Sequence, residues 1–454
     1  MLNSVTIKNF KSLRNVSFQL KPITLLIGAN NSGKSSFGSL LLTLKQTLAS
    51  RNFESPFVLE GPYVRHGSYK DVVFAHQPKR DIEIQMQFRK PTRKEIYARR
   101  GIDQPRRRQL FNLAYFAPLT VSFAVGFDDK TETIQLRDLK VVHPDKRRSR
   151  DIIFEVKKRR VVNLFGERVS IPIEAETPRE GKPITQKKRL YTTQRHFMLN
   201  VSMPREKDQT FFRQFALRRI SNIIEEFFDE SVLYLGPLRE YPKRYYISSG
   251  EKPSDVGLRG ERTVDFLYLH RAQIVERISY WLKKFKMAEE INVVKVAAGI
   301  WKVELVNLST KISDNLKDVG FGVSQVLPIV TEGMVAQPGT TLIVEQPEIH
   351  LHPRAQAQLA DLFIQLAKGN KYSIIETHSE HMILRFARRI AEGSLKKKDI
   401  TIYEFKLQKN GTRVKELSFD NYGNLKEWPT EFFQTELEET MKHVRAQARR
   451  KRAE

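Results

Sequence analysis

Residues 28–36 read Gly28-Ala29-Asn30-Asn31-Ser32-Gly33-Lys34-Ser35-Ser36, and no other stretch restricts the possible folds so sharply. From Gly28 to Ser35 it fits G-x-x-x-x-G-K-[ST]. The glycines of such a loop let backbone N–H groups turn inward onto phosphate oxygens. Its lysine reaches the β- and γ-phosphates, and its final hydroxyl can ligate Mg²⁺. The flanks agree with this reading. The apolar run PITLLI ends at Ile27 and reads as a buried strand, while SFGSLLLTLKQTLAS beyond the loop has the apolar spacing of a helix. That helix would direct its positive N-terminal end at the loop. Strand, phosphate loop and helix in this order place the chain in the α/β class.

A loop of this kind works with a second carboxylate on the Mg²⁺ side, at the end of a neighbouring buried strand. The stretch 341–353, TLIVEQPEIHLHP, supplies one. Glu345 follows a short apolar run and is expected to point toward the loop, serving a nucleotide's Mg²⁺ directly or through water.

The remaining pattern alternates strands and helices. SVTI (4–7) and NVSFQL (15–20) read as strands, and from Asp81 the text turns β-like with DIEIQMQF, VSFAVGF, TIQL and DIIFEV. FRQFALRRISNIIEEFFDE and VDFLYLHRAQIVERISYWLKKFK are expected amphipathic helices, and no heptad run supports a coiled coil. After Val293 come a hairpin (VVKVAAGIWKVELVNL), a glycine-led helix (DVGFGVSQVLPIVTEGMVA) and the strand TLIVE. The helix starting at Pro353 puts Leu359, Leu362, Phe363 and Leu366 on one face and ends at Gly369. The strand YSIIE, the helix EHMILRFARRIAEG and a last hairpin (TIYEFKLQ, VKELSF) follow.

Charge adds a second theme. The 454 residues hold 78 Lys and Arg against 52 Asp and Glu, a formal +26, and a field of that sign attracts polyanions such as nucleic acid. The excess is clustered: residues 91–160 carry 18 basic and 9 acidic residues, 181–195 five basic and no acidic, and 441–454 six basic and one acidic. Arg106, Arg107, Arg108, Lys146, Arg147 and Arg148 are the candidate nucleic-acid contacts. With 40% hydrophobic residues the chain can build a core. No apolar run approaches the ~20 residues of a membrane span, and there is no signal-peptide core or cysteine. These traits lead us to expect a soluble, cytoplasmic protein without disulfides or thiolate metal sites.

Further stretches make a resemblance specific. Asn9–Leu13 (NFKSL) precedes the phosphate loop as it does in RecF- and SMC-like ATPases. Gly320-Phe321-Gly322-Val323-Ser324-Gln325 resembles the signature motif of ABC-class ATPases in its OLD-like variant, and Thr377-His378-Ser379 resembles their switch histidine. Together with EQPEIHLHP, ETHSEH, YLGPLREYPKRYY (234–246) and Trp428–Phe433 (WPTEFF), the chain resembles a prokaryotic ATPase family whose relatives are common in anti-phage defence loci.

The resemblance covers roughly residues 1–90 and 290–433 and implies a P-loop ABC-type ATPase head split by a β-rich and helical insertion. The expected division is 1–90 (N-terminal lobe), 91–289 (insertion), 290–425 (C-terminal lobe) and 426–454 (C-terminal segment). The resemblance further implies ATP and Mg²⁺ as cofactors, head-to-tail homodimers or higher homo-oligomers formed on ATP, and Gly320, Gly322, Ser324 and Gln325 facing the other protomer's γ-phosphate. His378 would lie beside the phosphates, and Gln77 would be a Mg²⁺-contacting glutamine. The chain departs from the ABC pattern where a catalytic Glu should follow the Mg²⁺ acid: that position is Gln346, which can orient water but accept no proton at neutral pH. Glu348 is the alternative base, and slow hydrolysis is expected.

His350 and His352 are spaced for one face of an extended segment, with packing, a dimer contact or, less readily, zinc as their role. Arg239 and Arg244 could reach phosphate or nucleic acid, or their tyrosine-rich run could simply pack. The reading is a nucleic-acid-linked switch controlling a separate effector such as a nuclease or toxin. Its rivals are a non-hydrolysing ATP-dependent scaffold or sensor, a DNA-repair clamp ATPase and a transporter's nucleotide-binding subunit. A self-contained nuclease finds no support, because no clustered D-x-D acids follow His378.

Overall fold

The computed structural model describes residues 1–52, 54–90, 118–145, 150–156, 169–179, 182–202, 210–248, 250, 252–429, 441–443 and 446–447, with side chains given outside 143–195 and 199–219. Its centre is a sheet whose short apolar runs are buried on both faces, the pattern that parallel strands between two layers require. The order is β11 (Val232–Leu235), β16 (Thr341–Glu345), β17 (Tyr372–Glu376), β3 (Ile23–Gly28), β18 (Ile400–Gln408) and β19 (Gly411–Leu417). The first five are mutually parallel and β19 closes the edge antiparallel to β18.

Strand alternation sorts these side chains into two cores. Leu26, Ile343, Ile374 and Phe405 join one, with Phe37, Leu40, Leu41 and Leu44 of helix α1 (Lys34–Ala49). Leu25, Ile27, Leu342, Val344 and Ile375 join the other. That second face is covered by α4 (Thr263–Lys284), α5 (Phe321–Val335), α6 (Pro353–Lys368) and α7 (Glu380–Ala391). As expected, Pro353 opens α6 and the Gly369 N–H closes it on Gln365 O at 3.0 Å. Arg385 and Arg389 of α7 converge on the buried Asp361 of α6 at 2.6–3.2 Å. Removing that carboxylate would take from Arg385 its carboxylate partner and leave Arg389 with Glu392 alone, 2.6 Å away.

Beyond α1 lies an antiparallel sheet ordered β2 (Leu13–Gln19), β1 (Leu2–Phe10), β4 (Ile82–Phe88), β5 (Leu119–Asp128), β6 (Thr133–Asp145) and β7 (Arg150–Val156). The short α2 (Tyr69–Val72) lies between β3 and β4 in the chain. Three further strands, β8 (Val169–Arg179), β9 (Lys182–Arg195) and β10 (Met198–Ser202), form a separate sheet, and α3 (Thr210–Ser231) leads into β11. A last sheet joins β12 (Tyr246–Ile247), β13 (Glu290–Ala297), β14 (Ile300–Val306) and β15 (Ser313–Asn315), with β13 and β14 forming the expected hairpin.

The sheets run across two of the expected boundaries. Strands β5–β7 extend the sheet begun by β1 and β4, so residue 90/91 bounds no sheet. β11, expected inside the 91–289 insertion, is an edge strand of the central sheet through its pairing with β16. Candidate contacts Arg106, Arg107, Arg108, Lys146, Arg147 and Arg148 lie outside the described residues, as does most of the 441–454 tail.

Candidate functional site

The loop between β3 and α1 is tied down on all sides. Gly28 has φ 144°, and a Cβ there would come within 2.3 Å of Phe405 O on the neighbouring β18. Gly33 has φ 97°, and a Cβ would sit 2.4 Å from Ser12 Oγ and 2.7 Å from Thr412 Oγ1. Only glycine meets both demands, on conformation and on space. Thr412 Oγ1 donates to Ser32 O and is 2.8 Å from it, so the β18–β19 hairpin buttresses the loop. Asn31 also has positive φ, at 61°. Lys34 folds back, its ammonium donating to Gly28 O at 2.9 Å and Ala29 O at 2.7 Å. Burial lowers its pKa, against the opposing charges of Glu376 and Glu348.

The strand ends bring acids to this loop. Glu345 closes β16 and Glu376 closes β17, and the two are register partners. Each lies two residues past a side chain in the α1-side core, Ile343 and Ile374, so strand alternation puts both carboxylates on the loop's face. β17 lies between β16 and β3, so Glu345 belongs to the second strand from the loop instead of the adjacent one expected from the sequence. The adjacent acid is Glu376: Ser35 Oγ donates to Glu376 Oε1 at 3.0 Å. Burial, and then the charge of Glu376, push Glu345 up to about 7. Burial also raises Glu376 and Glu348 above the usual carboxylate range.

Two residues of the YLGPLREYPKRYY stretch hold Glu345 in place. Tyr234 of β11, opposite Ile343 in register, donates its hydroxyl to Glu345 Oε1 at 3.1 Å. Arg239 is only 2% exposed and donates to the carbonyls of Glu345 at 2.9 Å and of Gln346 and Pro237 at 3.1 Å. Arg239 is therefore a clamp on the strand end and unavailable to nucleic acid. Arg244 is exposed but pairs with Asp318 at 2.6 Å.

Beyond Glu345 the chain turns sharply. Gln346 has φ 46°, and its N–H donates to Glu376 O at 2.7 Å. Glu348 is buried, and its Oε1 accepts the His378 N–H at 2.6 Å. The switch-histidine candidate thus stands against the Glu348 loop, and burial followed by the charge of Lys34 lowers its pKa. Ser32 Oγ, Glu348 Oε2 and His378 Nε2 are buried without a hydrogen-bond partner in the structure. These orphaned atoms belong to the loop and the segments facing it, and buried polar atoms without partners call for a polar occupant. With the inward-curled loop and the acids beside Ser35, the donor set fits a phosphate chain carrying Mg²⁺. Residues 28–36 would hold the phosphates, and Ser35 with Glu345 the metal.

Other expected site residues fall elsewhere. Ser324 and Gln325 are buried at the start of α5, with Ser324 Oγ donating to Phe321 O at 2.6 Å. Gly320 caps that helix, and a Cβ on Gly322 would meet His350 O at 3.1 Å. Pro328 sits within α5, where no free first-turn position accommodates it, and packs against Gly260. His350 stacks edge-on against Phe321 with ring centroids 5.0 Å apart, and His352 caps α6 by accepting the Arg354 N–H. Both therefore have packing or capping roles, and no group of three or more His, Asp or Glu among the described residues is arranged to hold a metal ion. Gln77 is exposed and its Oε1 accepts from Arg80 Nε at 2.6 Å. No helix among the described residues is long and apolar enough to cross a membrane.

Comparison with known proteins places these features in context. No curated protein matches the chain. Solved structures similar to it include an SMC head bound to the C-winged helix domain of ScpA (13% identity, TM-score 0.46, covering 92% of this chain and 98% of that one). The SMC head domain of Thermotoga maritima matches at 8% identity and TM-score 0.39, over 91% and 98% of the two chains. An SMC head with an extended coiled coil, bound to the C-terminal domain of ScpA derived from Pyrococcus furiosus, matches at 12% identity and TM-score 0.42, over 98% of each chain. The sequence profile described as "AAA ATPase domain" matches residues 1–228 and 270–383, and the chain belongs to that family.

Proposed function

We propose that the protein is an ABC-class, OLD/RecF-like ATPase head that binds ATP with Mg²⁺, hydrolyses it slowly and dimerises on it. The observation that carries this reading is the meeting of the 28–36 loop with the acid-tipped ends of β16 and β17, through Ser35 and Glu376 at 3.0 Å. Residues 28–33 offer backbone N–H groups to phosphates, and Lys34 exchanges its carbonyl partners for phosphate oxygens. Tyr234 and Arg239 fix Glu345 toward the metal side, as outer partners of a metal ligand do. Bound Mg²⁺ would neutralise charge on the phosphate oxygens.

Slow turnover follows from Gln346, which can orient water and accept no proton. Glu348, buried with an unpartnered oxygen beside His378, is the alternative base. The basic excess and the resemblance support a nucleic-acid-linked switch acting on a separate effector in anti-phage defence. Binding through the basic clusters would be sequence-independent and fall steeply with salt.

Phosphate release under multiple turnover, with dimerisation followed by size exclusion, tests the reading. Slow, Mg²⁺-dependent release and an ATP-dependent dimer are expected. A dimer without release supports the second reading, a non-hydrolysing ATP-dependent scaffold, which the glutamine at position 346 favours. Absence of nucleotide binding contradicts both.

A further inference from the structure

Glu376 opens the ETHSEH stretch ahead of the switch-histidine candidate, and its carboxylate is in direct contact with the phosphate loop. It is 7% exposed, closes the strand adjacent to β3, pairs in register with both Glu345 and Leu26, and accepts the Ser35 hydroxyl at 3.0 Å. A serine hydroxyl has one proton and two lone pairs. When the proton is held by Glu376, both lone pairs remain available to a cation on the phosphate side.

Resting on the nucleotide site proposed above, we infer that Glu376 is the positioning residue for Ser35 and the second negative charge facing the cation. It thereby makes nucleotide binding depend on a divalent metal. With Mg²⁺ present, Glu376 and Glu345 oppose the positive ion from adjacent strand ends. Without it, the same two carboxylates face the negative phosphate chain and repel it. The wild-type protein therefore discriminates against metal-free nucleotide more strongly than a site with one acid would. The geometry supports this over simple packing. Ser35 is a residue of the loop itself, and its hydroxyl proton is given to Glu376 at 3.0 Å.

The test is calorimetric titration of the full chain with the non-hydrolysable analogue AMP-PNP, in excess MgCl₂ and in EDTA at matched ionic strength. Wild type, Glu376→Gln, Ser35→Ala and the double variant are compared after their melting temperatures have been checked. Glu376→Gln keeps an acceptor for Ser35 while removing the charge. It should tighten metal-free binding, weaken Mg²⁺-nucleotide binding, and so cut the ratio of the two affinities about tenfold or more, the usual size of a coupling between sites. Ser35→Ala should abolish part of that effect, so that the two substitutions are non-additive. If Glu376→Gln binds both forms as wild type does, or weakens both equally, Glu376 is only a packing residue and the inference is overturned. Should the variant fail to fold, Ser35→Ala alone must lower the ratio, and an unchanged ratio overturns the inference as well. If wild type binds neither form, the nucleotide site itself fails and the inference falls with it.

Discussion

The Tyr234 hydroxyl donates to Glu345 Oε1 at 3.1 Å, from an edge strand that lies 111 residues earlier in the chain. This bond joins a stretch of unassigned role to the acid expected beside Mg²⁺. Tyr234→Phe keeps the ring in its packing and removes only the donor. It should cost about 1 kcal/mol of stability but lower metal-dependent nucleotide affinity or turnover by about 10- to 100-fold, the effect of losing an outer partner of a metal ligand. Titration with Mg²⁺ at fixed nucleotide, beside a denaturant melt, separates the two effects. A variant with full activity would show that Glu345 needs no such support.

The loop after β16 sets up a contest between two residues. If Gln346 occupies the place of the general base, Gln346→Glu should speed single-turnover hydrolysis by about tenfold, or about 1.4 kcal/mol off the barrier. The ATP-bound dimer should shorten its life accordingly. If Glu348 is the base, Glu348→Gln abolishes turnover and Gln346→Glu changes little. No change in either variant would remove this loop from the catalytic wall.

The loop and its lysine were legible because G-x-x-x-x-G-K-[ST] is a local pattern, and TLIVE was legible because a buried parallel strand is a short apolar run. Glu376 was hidden in the ETHSEH stretch, whose local pattern marks only His378. Counting by twos from Ile374 and Ile343 would have put Glu376 and Glu345 on one face, but the order of β16, β17 and β3 is a long-range fact that no local pattern encodes. For the same reason Arg239 was open to a nucleic-acid reading: two of its three carbonyl partners are more than 100 residues away in sequence. The alternation of β5 and β6 showed that they were strands without showing that they continue the sheet of β1 and β4, since a period of two fixes the buried face and leaves the partner open.

A buried acid away from the loop makes stability depend on pH. Glu332 of α5 is 4% exposed, its Oε2 accepts the Val256 N–H at 2.8 Å, and burial pushes it up to about 7 from 4.5. Its folded pKa lies above the unfolded value, so between those two values the folded state holds more protons. Stability is then lost as pH rises through that window and levels off above it. Glu332→Gln should match wild type near about pH 5 and exceed it near about pH 8 by up to about 3 kcal/mol. Melts at both pH values check this, and an equal difference at the two would contradict it.

The central claim is that residues 28–36 hold the phosphates of ATP, with Lys34 supplying the side-chain positive charge. Its most direct test is the equilibrium affinity for Mg²⁺-ATP of wild type and of a folded Lys34→Ala protein, under identical salt. Wild type should bind one nucleotide per chain and the variant should bind about a hundredfold more weakly or worse, as expected for loss of a charge-assisted contact to phosphate. An unchanged affinity in Lys34→Ala would contradict the account.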